Sequence, residues 1–226
     1  MTNTGKRHTA RYFPGQHDLA GDARLYSDVF QRNAPPIIAT LSQYLHGQSG
    51  TVLEIGAGTG QHAAAFALAF PSLTWLASDP FPEHLASIHA WRRQLLRDDR
   101  VPLELDAARD WGTDPEIRSQ GPLTAIYAGN VTHIAPWAVT EGLLVGAGRC
   151  LAPGGKVFLY GPFRRGTEFF GEGNRSFDTD LRADNPDWGL RDIDHLEAVA
   201  RPHGLALEDR HDMPANNHIL VFGRVQ

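Results

Sequence analysis

A single cysteine, Cys150, rules out an intramolecular disulfide; its place at the end of a helical pattern suits core packing better than reactivity. No apolar run approaches the ~20 residues that a membrane-spanning helix needs. Residues 1–16 are polar, carry Lys6, Arg7 and Arg11, and lack the apolar stretch of a secretory leader. No block dense in Lys and Arg is present, and the formal charge is −5. A large nucleic-acid footprint is therefore not expected. The eleven histidines include no pair at a metal-ligand spacing, so no resident metal is expected. There is no internal repeat and no internal linker. With 42% hydrophobic and 21% charged residues, these absences leave one ordinary globular domain over 1–226, expected to be cytoplasmic, with its oligomeric state open.

What is present is concentrated in Val52-Leu53-Glu54-Ile55-Gly56-Ala57-Gly58-Thr59-Gly60. An apolar, β-branched run stops at a Gly-x-Gly-x-Gly turn, and a helix-forming run, Gln61 to Phe70, follows at once. In doubly wound α/β folds, a nucleotide-like cofactor lies against the backbone at such a strand–loop–helix junction. The spacing discriminates between cofactors. A dinucleotide fingerprint needs Gly where Gln61 stands, and a phosphate-cradling P-loop needs a Gly-Lys-Ser/Thr end that is absent.

The alternation continues. Strands are expected at Thr51–Ile55, Leu73–Ser78, Pro102–Leu105, Leu123–Ala128 and Lys156–Tyr160, with helices at about Gly60–Phe70, Glu83–Leu96 and Pro136–Cys150. Before them, Leu19–Leu45 reads as helix interrupted near Pro35-Pro36. Residues 1–23 read as an arm, in which Tyr12 and Phe13 are candidates to fold over something. Gly161–Asp192 is rich in Gly, Asn, Asp, Arg and aromatics and weakly periodic. It is expected to be an irregular insert and a substrate lid (161–192), with a short helix around Asp178–Ala183. Asp194-x-x-Glu197 has the form of a capping box. Leu205–Arg210 and Ile219–Arg224 are expected to pair as an antiparallel hairpin.

Ligands of parallel sheets bind beyond the carboxyl ends of the strands. Glu54, Asp79 and Asp106 fall there, at the ends of the first three strands, and Asn130 and His133 follow the fourth. Singly, each acid reads more readily as a helix cap. Jointly, around a glycine loop, they point to a ribonucleoside-type cofactor.

With Leu-x-Pro-Gly-Gly before the fifth strand, this pattern resembles the class I S-adenosylmethionine-dependent methyltransferases. More narrowly, the chain is similar to the methyltransferase-like protein 26 family. The matching segments are Arg32-Asn33 with Pro36-Ile37, Leu53–Ala64, Asn130–His133, Thr140–Leu143, Tyr160-Gly161-Pro162, Phe177-Asp178 with Leu181-Arg182, Asn185–Asp192 and Met213–Asn217. The resemblance implies a Rossmann-like seven-stranded, mostly parallel sheet with a C-terminal antiparallel hairpin and helices on both faces. It implies S-adenosyl-L-methionine as cofactor. Glu54, Gly56, Ala57, Gly58 and Gly60 would shape the methionyl end, and Arg32 would meet the carboxylate. Asp79 would hold the ribose, Asp106 and Ala107 would flank adenine, and Asn130 would lie near the sulfonium.

His133 is the candidate general base, with a structural imidazole that caps a backbone group or orients Asn130 as the alternative. Tyr160, Asn174, Asp178, Arg182, Trp188, Arg191 and Asn217 are candidates for the acceptor side. Asp178 and Arg182, four apart, also suit a simple helical ion pair. Arg164, Arg165, Arg182 and Arg191 suit a carboxylate or phosphate, hence a small anionic acceptor. A cofactor-binding protein without transfer activity, and an enzyme acting on RNA or protein, are the rival readings. The acidic balance and the lack of an Asn-Pro-Pro-aromatic segment after the fourth strand stand against the latter. Asn174-Arg175-Ser176 fits a glycosylation sequon, with nothing to suggest secretion.

Overall fold

The computed structural model describes residues 22–225 and the backbone of Phe13–Pro14, which pairs with Leu25–Tyr26. The side chains of Tyr12 and Phe13, and with them the role expected of the arm, lie outside the described residues. Seven strands form the central sheet: β1 (Gly50–Ile55), β2 (Leu73–Asp79), β3 (Leu103–Glu104), β4 (Leu123–Gly129), β5 (Leu151–Gly161), β6 (Leu205–Met213) and β7 (Asn217–Arg224). Their order across the sheet is β3-β2-β1-β4-β5-β7-β6. β1 to β5 run parallel, while β7 is antiparallel to both β5 and β6. The chain moves outward from β1 through β2 to β3, then returns to place β4 on the other side of β1. That reversal opens a crevice at the carboxyl ends of β1 and β4.

The strands read as nearly unbroken apolar runs because both faces of the sheet are covered. Side chains alternate between two cores, as a period of two requires. Val52, Ala125, Tyr127, Phe158, Ile219 and Val221 meet α1 (Phe30–Leu45), α2 (Gln61–Ala69) and α3 (Pro82–Leu96). Leu53, Ile126, Ala128, Val157, Leu159, Leu220 and Phe222 face the short α4 (Pro115–Ser119), α5 (Trp137–Cys150) and α7 (Ile193–Ala200). Cys150 is buried in the second core, its Sγ 3.5 Å from the Gly112 carbonyl.

Three local expectations are corrected. The prolines do not interrupt α1, which runs through Pro35 and Pro36. The carbonyls they leave without an N–H belong to Gln31 and Arg32, both exposed, so water can serve them while Ile37, Leu41 and Leu45 stay buried. The segment 161–192 is not irregular. It holds α6 (Glu172–Asp184) and a small sheet of Phe163–Arg165, Glu168–Phe169 and Arg191–Asp192. The buried face of α6 is Asn174, Asp178 and Leu181, two of them polar, so a hydrophobic periodicity cannot reveal it. Asn174 Nδ2 donates to the Asn216 carbonyl (3.0 Å), and Asp178 Oδ1 accepts from the Leu190 N–H (2.6 Å). Finally, α7 is capped by Asp192, which accepts from the Asp194 N–H, rather than by Asp194.

Candidate active site

The crevice holds a cleft of about 1110 Å³. That exceeds the ~300–1,000 Å³ usual for a single small-ligand site, so two reactants can lie side by side. The floor is the loop after β1. Gly56 (φ 69°) and Gly58 (φ 56°) adopt the left-handed conformation that only glycine takes without strain. A Cβ on Gly56 would stand 2.6 Å from Val131 Cγ2. Gly60, expected at the cofactor, does not line the cleft. A Cβ there would lie 2.6 Å from the Ile88 Cα, so this glycine serves the close approach of α2 and α3.

Asp79, at the end of β2, is 2% exposed. Its Oδ2 accepts from the Gly58 N–H (2.9 Å), and its Oδ1 accepts from the Phe81 N–H (3.1 Å) and pairs with His84 Nδ1 (2.9 Å). A carboxylate offers about four acceptor positions; these bonds take three of them among the described residues, and Asp79 lines the cleft. Asp79 therefore ties the glycine loop to β2 as well as offering a site to a ligand hydroxyl. Beyond it the wall is apolar, through Pro80, Phe81, Leu105 and Ala107. Asp106 ends this stretch half-exposed, its Oδ1 capping the Ala108 N–H (2.9 Å).

Glu54 is 3% exposed, and its Oε2 accepts from Trp75 Nε1 at 2.6 Å. Burial, reinforced by the Asp79 charge, pushes its pKa up to about 7. The sign follows directly. Between the unfolded value near 4.3 and the folded value, the native chain holds a proton that the unfolded chain has lost. Stability must fall as pH rises through that window and level off above it. Glu54→Gln keeps the acceptor for Trp75 and removes the charge. It is expected to stabilise the ligand-free chain at pH 8 by about 1–3 kcal/mol and leave stability at pH 4 nearly unchanged. Urea unfolding at the two pH values measures both; an equal shift at each would show that the charge is not the cause.

At the other lip, Asn130 (φ 56°) donates its N–H to the Tyr160 carbonyl (2.8 Å). Asparagine tolerates this conformation better than other side-chain-bearing residues. The His133 imidazole follows in a single turn of 3-10 helix, 3% exposed. Gly161, at the end of β5, lets both approach: a Cβ there would sit 3.2 Å from His133 Nδ1 and 3.7 Å from Asn130 Oδ1. Burial and the Arg191 charge push the His133 pKa down to about 3. A group so weakly basic is poorly matched to proton abstraction at neutral pH. Those surroundings suit the alternative, a neutral imidazole beside Asn130.

Of the residues expected on the acceptor side, Tyr160, Asn174, Trp188 and Asn217 line the cleft, as does Arg32. Asp178, Arg182 and Arg191 do not. Arg182 Nε bonds Asp178 Oδ2 (2.9 Å), four residues away on α6. Arg191 donates to the carbonyls of Thr132 (2.8 Å), Ala135 (2.5 Å) and Asp187 (3.1 Å). Arg164 pairs with Asp192 and Arg165 with Asp194. The sequence reading missed His62, Phe177 and Asn185, which also line the cleft. His62 follows the glycine loop directly, which is a usable signal. Phe177 lies on α6 and Asn185 at its end, beyond the bounds of the short helix expected at Asp178–Ala183. Asn174 is 5% exposed, which closes it to glycosylation in the folded chain.

Among the described residues, two buried polar atoms on side chains that line this cleft have no hydrogen-bond partner: His62 Nε2 and His133 Nδ1. Native interiors leave few such groups, and a bound ligand or water is one way to complete the bonding. Arg32 stands close enough to Tyr160 for its charge to lower that phenol, while burial raises it to about 12. Arg32 spends Nε on Asn33 Oδ1 (3.0 Å) and keeps its terminal nitrogens clear of hydrogen bonds among the described residues. Among the described residues, no cluster of three or more His, Cys, Asp or Glu is placed to hold a metal, and no helix is long and apolar enough to cross a membrane.

Solved structures share this architecture. An O-methyltransferase family protein from Burkholderia thailandensis superposes with a TM-score of 0.71 at 15% identity, over 88% of this chain and 58% of that one. The mitomycin 7-O-methyltransferase MmcR gives 0.69 at 18% identity, over 88% and 55%. The pyocyanin biosynthetic protein PhzM gives 0.65 at 18%, over 86% and 55%. The fold is thus the Rossmann-like one of those methyltransferases, and this chain spans little more than half the length of each. A family model described as "Protein of unknown function (DUF938)" matches residues 24–224, nearly the whole chain, and the protein therefore belongs to the DUF938 family.

Proposed function

We propose that this chain is an S-adenosylmethionine-dependent methyltransferase acting on a small molecule, and that the narrower kinship is with the methyltransferase-like protein 26 group whose segments it matches. The observation that carries this reading is the joint placement of Glu54, the Gly56–Gly58 loop, Asp79 and Asn130 along one wall of a cleft with room for two reactants. The cofactor fits what these residues lack. Glu54 is a buried carboxyl that gains from a neighbouring ammonium, Asp79 lines the cleft with acceptor capacity beyond its three bonds, and among the described residues the terminal nitrogens of Arg32 are clear for a carboxylate. Phe81, Leu105 and Ala107 offer an apolar slot for a purine. When bound, a sulfonium donor supplies an activated methyl group whose leaving group is a neutral thioether.

The chain's own part is to bind, align and exclude water. Alignment of two reactants contributes several kcal/mol, up to ~7–11 in well-oriented models. Phe177 and Trp188, with Asn174, Asn185 and Asn217, form the opposite wall, and the segment 161–192 acts as the lid over it. Arg164, Arg165, Arg182 and Arg191 lend no support to a carboxylate or phosphate on the acceptor, because those guanidiniums are spent on carboxylates and carbonyls. Aromatic surfaces and side-chain amides suit a small, flat acceptor carrying few charges.

Titration calorimetry with S-adenosylmethionine and S-adenosylhomocysteine tests the reading. Saturable binding at one site is expected, followed by label transfer from a tritiated methyl donor into the small-molecule fraction of an extract. Absence of binding to the folded chain would sink it. Binding without transfer to any fraction would leave a cofactor-binding protein instead, and label entering nuclease- or protease-sensitive material would name the other rival.

A further inference from the structure

The charge behind His133 is unusual for a histidine at a reaction site. Where an imidazole serves as base, a carboxylate stands behind it and sustains its basicity. Here the group behind is a guanidinium. His133 lines the cleft and Arg191 does not. Arg191 is 8% exposed and grips the turn from its far side, through the carbonyls of Thr132 and Ala135 that flank His133, with Trp137 beneath its guanidinium. The charged groups around Arg191 are Arg182 and Asp178 of α6 and Asp187 of the following loop. From β5, Gly161 lies against the imidazole, and α6 presents the Phe177 ring, edge-on at 5.8 Å. Among the described residues, no carboxylate is hydrogen-bonded to the imidazole, and its Nδ1 has no partner. The other polar groups of the acceptor side are amides and Tyr160, while the carboxyls of Glu54 and Asp79, with His84, line the side assigned above to the cofactor.

We propose that Arg191 is a positioning residue that keeps His133 a neutral hydrogen-bond donor toward the acceptor, and that the cleft is thereby restricted to acceptors whose nucleophilic atom loses its proton unaided, such as thiols and acidic phenols. This rests on the methyltransferase reading above. The acceptor enters as the anion, its proton already released to water. Its lone pair forms the new bond to the methyl carbon as the carbon–sulfur pair returns to sulfur, so no proton remains for the protein to remove. The His133 N–H steadies the anion without taking anything from it.

Two measurements decide the matter. The first needs no cofactor: proton–nitrogen spectra of the full-length, histidine-labelled chain, with His133→Gln identifying the signal. His133 is expected to stay neutral from pH 8 down to pH 5, and in Arg191→Gln to titrate at least one pH unit higher than in the parent. Titration near the ordinary histidine value in the parent chain would overturn the proposal, and so would an unchanged value in a folded Arg191→Gln. Should Arg191→Gln not fold, the parent titration alone decides the histidine's state.

The second uses the parent protein with S-adenosylmethionine and a series of substituted phenols and thiophenols. Below the acceptor's own pKa, each unit of added acidity is expected to raise kcat/KM by about three- to fourfold, the gain in anion outweighing the loss of nucleophilicity. At saturating donor, the pH profile is expected to follow the acceptor's pKa, with no step from His133. Equal rates for acidic and unactivated members, or no transfer to any member while calorimetry shows the donor bound, would overturn it. Failure of donor binding strikes the methyltransferase reading instead, while the titration still judges the histidine.

Discussion

Asp79→Ala is expected to lower the affinity for S-adenosylmethionine a hundredfold or more and to destabilise the ligand-free chain by about 2–4 kcal/mol. The two effects share one cause. The carboxylate is buried and accepts from the N–H groups of Gly58 and Phe81 while pairing with His84. Each donor left without a partner costs roughly 1–3 kcal/mol, less where water can enter. Removing the acid therefore releases the glycine loop from β2 and removes the acceptor for a ligand hydroxyl. Asp79→Asn separates the roles. Its amide turns a donor toward either the Gly58 N–H or the Phe81 and His84 side, so it disturbs the loop while keeping the volume. Calorimetry and urea unfolding on both variants make the check. Affinity retained within tenfold in Asp79→Ala would place the ligand elsewhere and remove the main support for the cofactor site.

Gly142→Ala is expected to destabilise the chain by about 2 kcal/mol, a fall in Tm of roughly 4–8 °C, although helix propensity alone predicts the opposite. Inside a helix, alanine is favoured over glycine by about 1 kcal/mol. On α5, however, a Cβ at Gly142 would stand 2.0 Å from the Ala107 carbonyl oxygen and 3.1 Å from its carbon. Both are backbone atoms, which cannot swing aside as a side chain does. Overpacking of this kind costs about 1–3 kcal/mol or more, so sterics win. The residue displaced is Ala107 itself, a wall of the proposed purine slot, so affinity should fall with stability. Gly173→Ala on α6 is the counter-case: nothing lies within 4 Å of its added Cβ, and a small gain of about 0.5–1 kcal/mol is expected. Thermal scans of the two variants must move in opposite directions. A Gly142→Ala chain as stable as the parent would mean that the loop after β3 yields freely, and the slot with it.

The reach of the sequence can be judged residue by residue. Val52 to Ile55 announced a strand because its apolar residues are continuous, and continuity means burial on two faces. Gly56 and Gly58 announced a turn because few other residues accept that conformation. Glu54, Asp79 and Asp106 were found at strand ends because strand length is a local property. The interior of 161–192 was legible only in part: a short helix was expected at Asp178–Ala183, inside α6, but not its full length or its buried polar face. Asn174 and Asp178 face inward on α6 only because the Asn216 carbonyl and the Leu190 N–H wait for them. Gly60 looked like its neighbours in the loop, and only the proximity of Ile88 shows that it serves helix packing.

By itself, then, the sequence determined an α/β sheet with a glycine loop and acids at its strand ends, since hydrophobic periodicity and backbone permissiveness act over a few residues. The tertiary structure alone decided which polar groups face the cleft and which are consumed in holding it. Whether Arg191 binds a ligand or the back of a histidine's turn depends on carbonyls some 56 to 59 residues away along the chain, and the energy of a buried charge depends on what surrounds it in space.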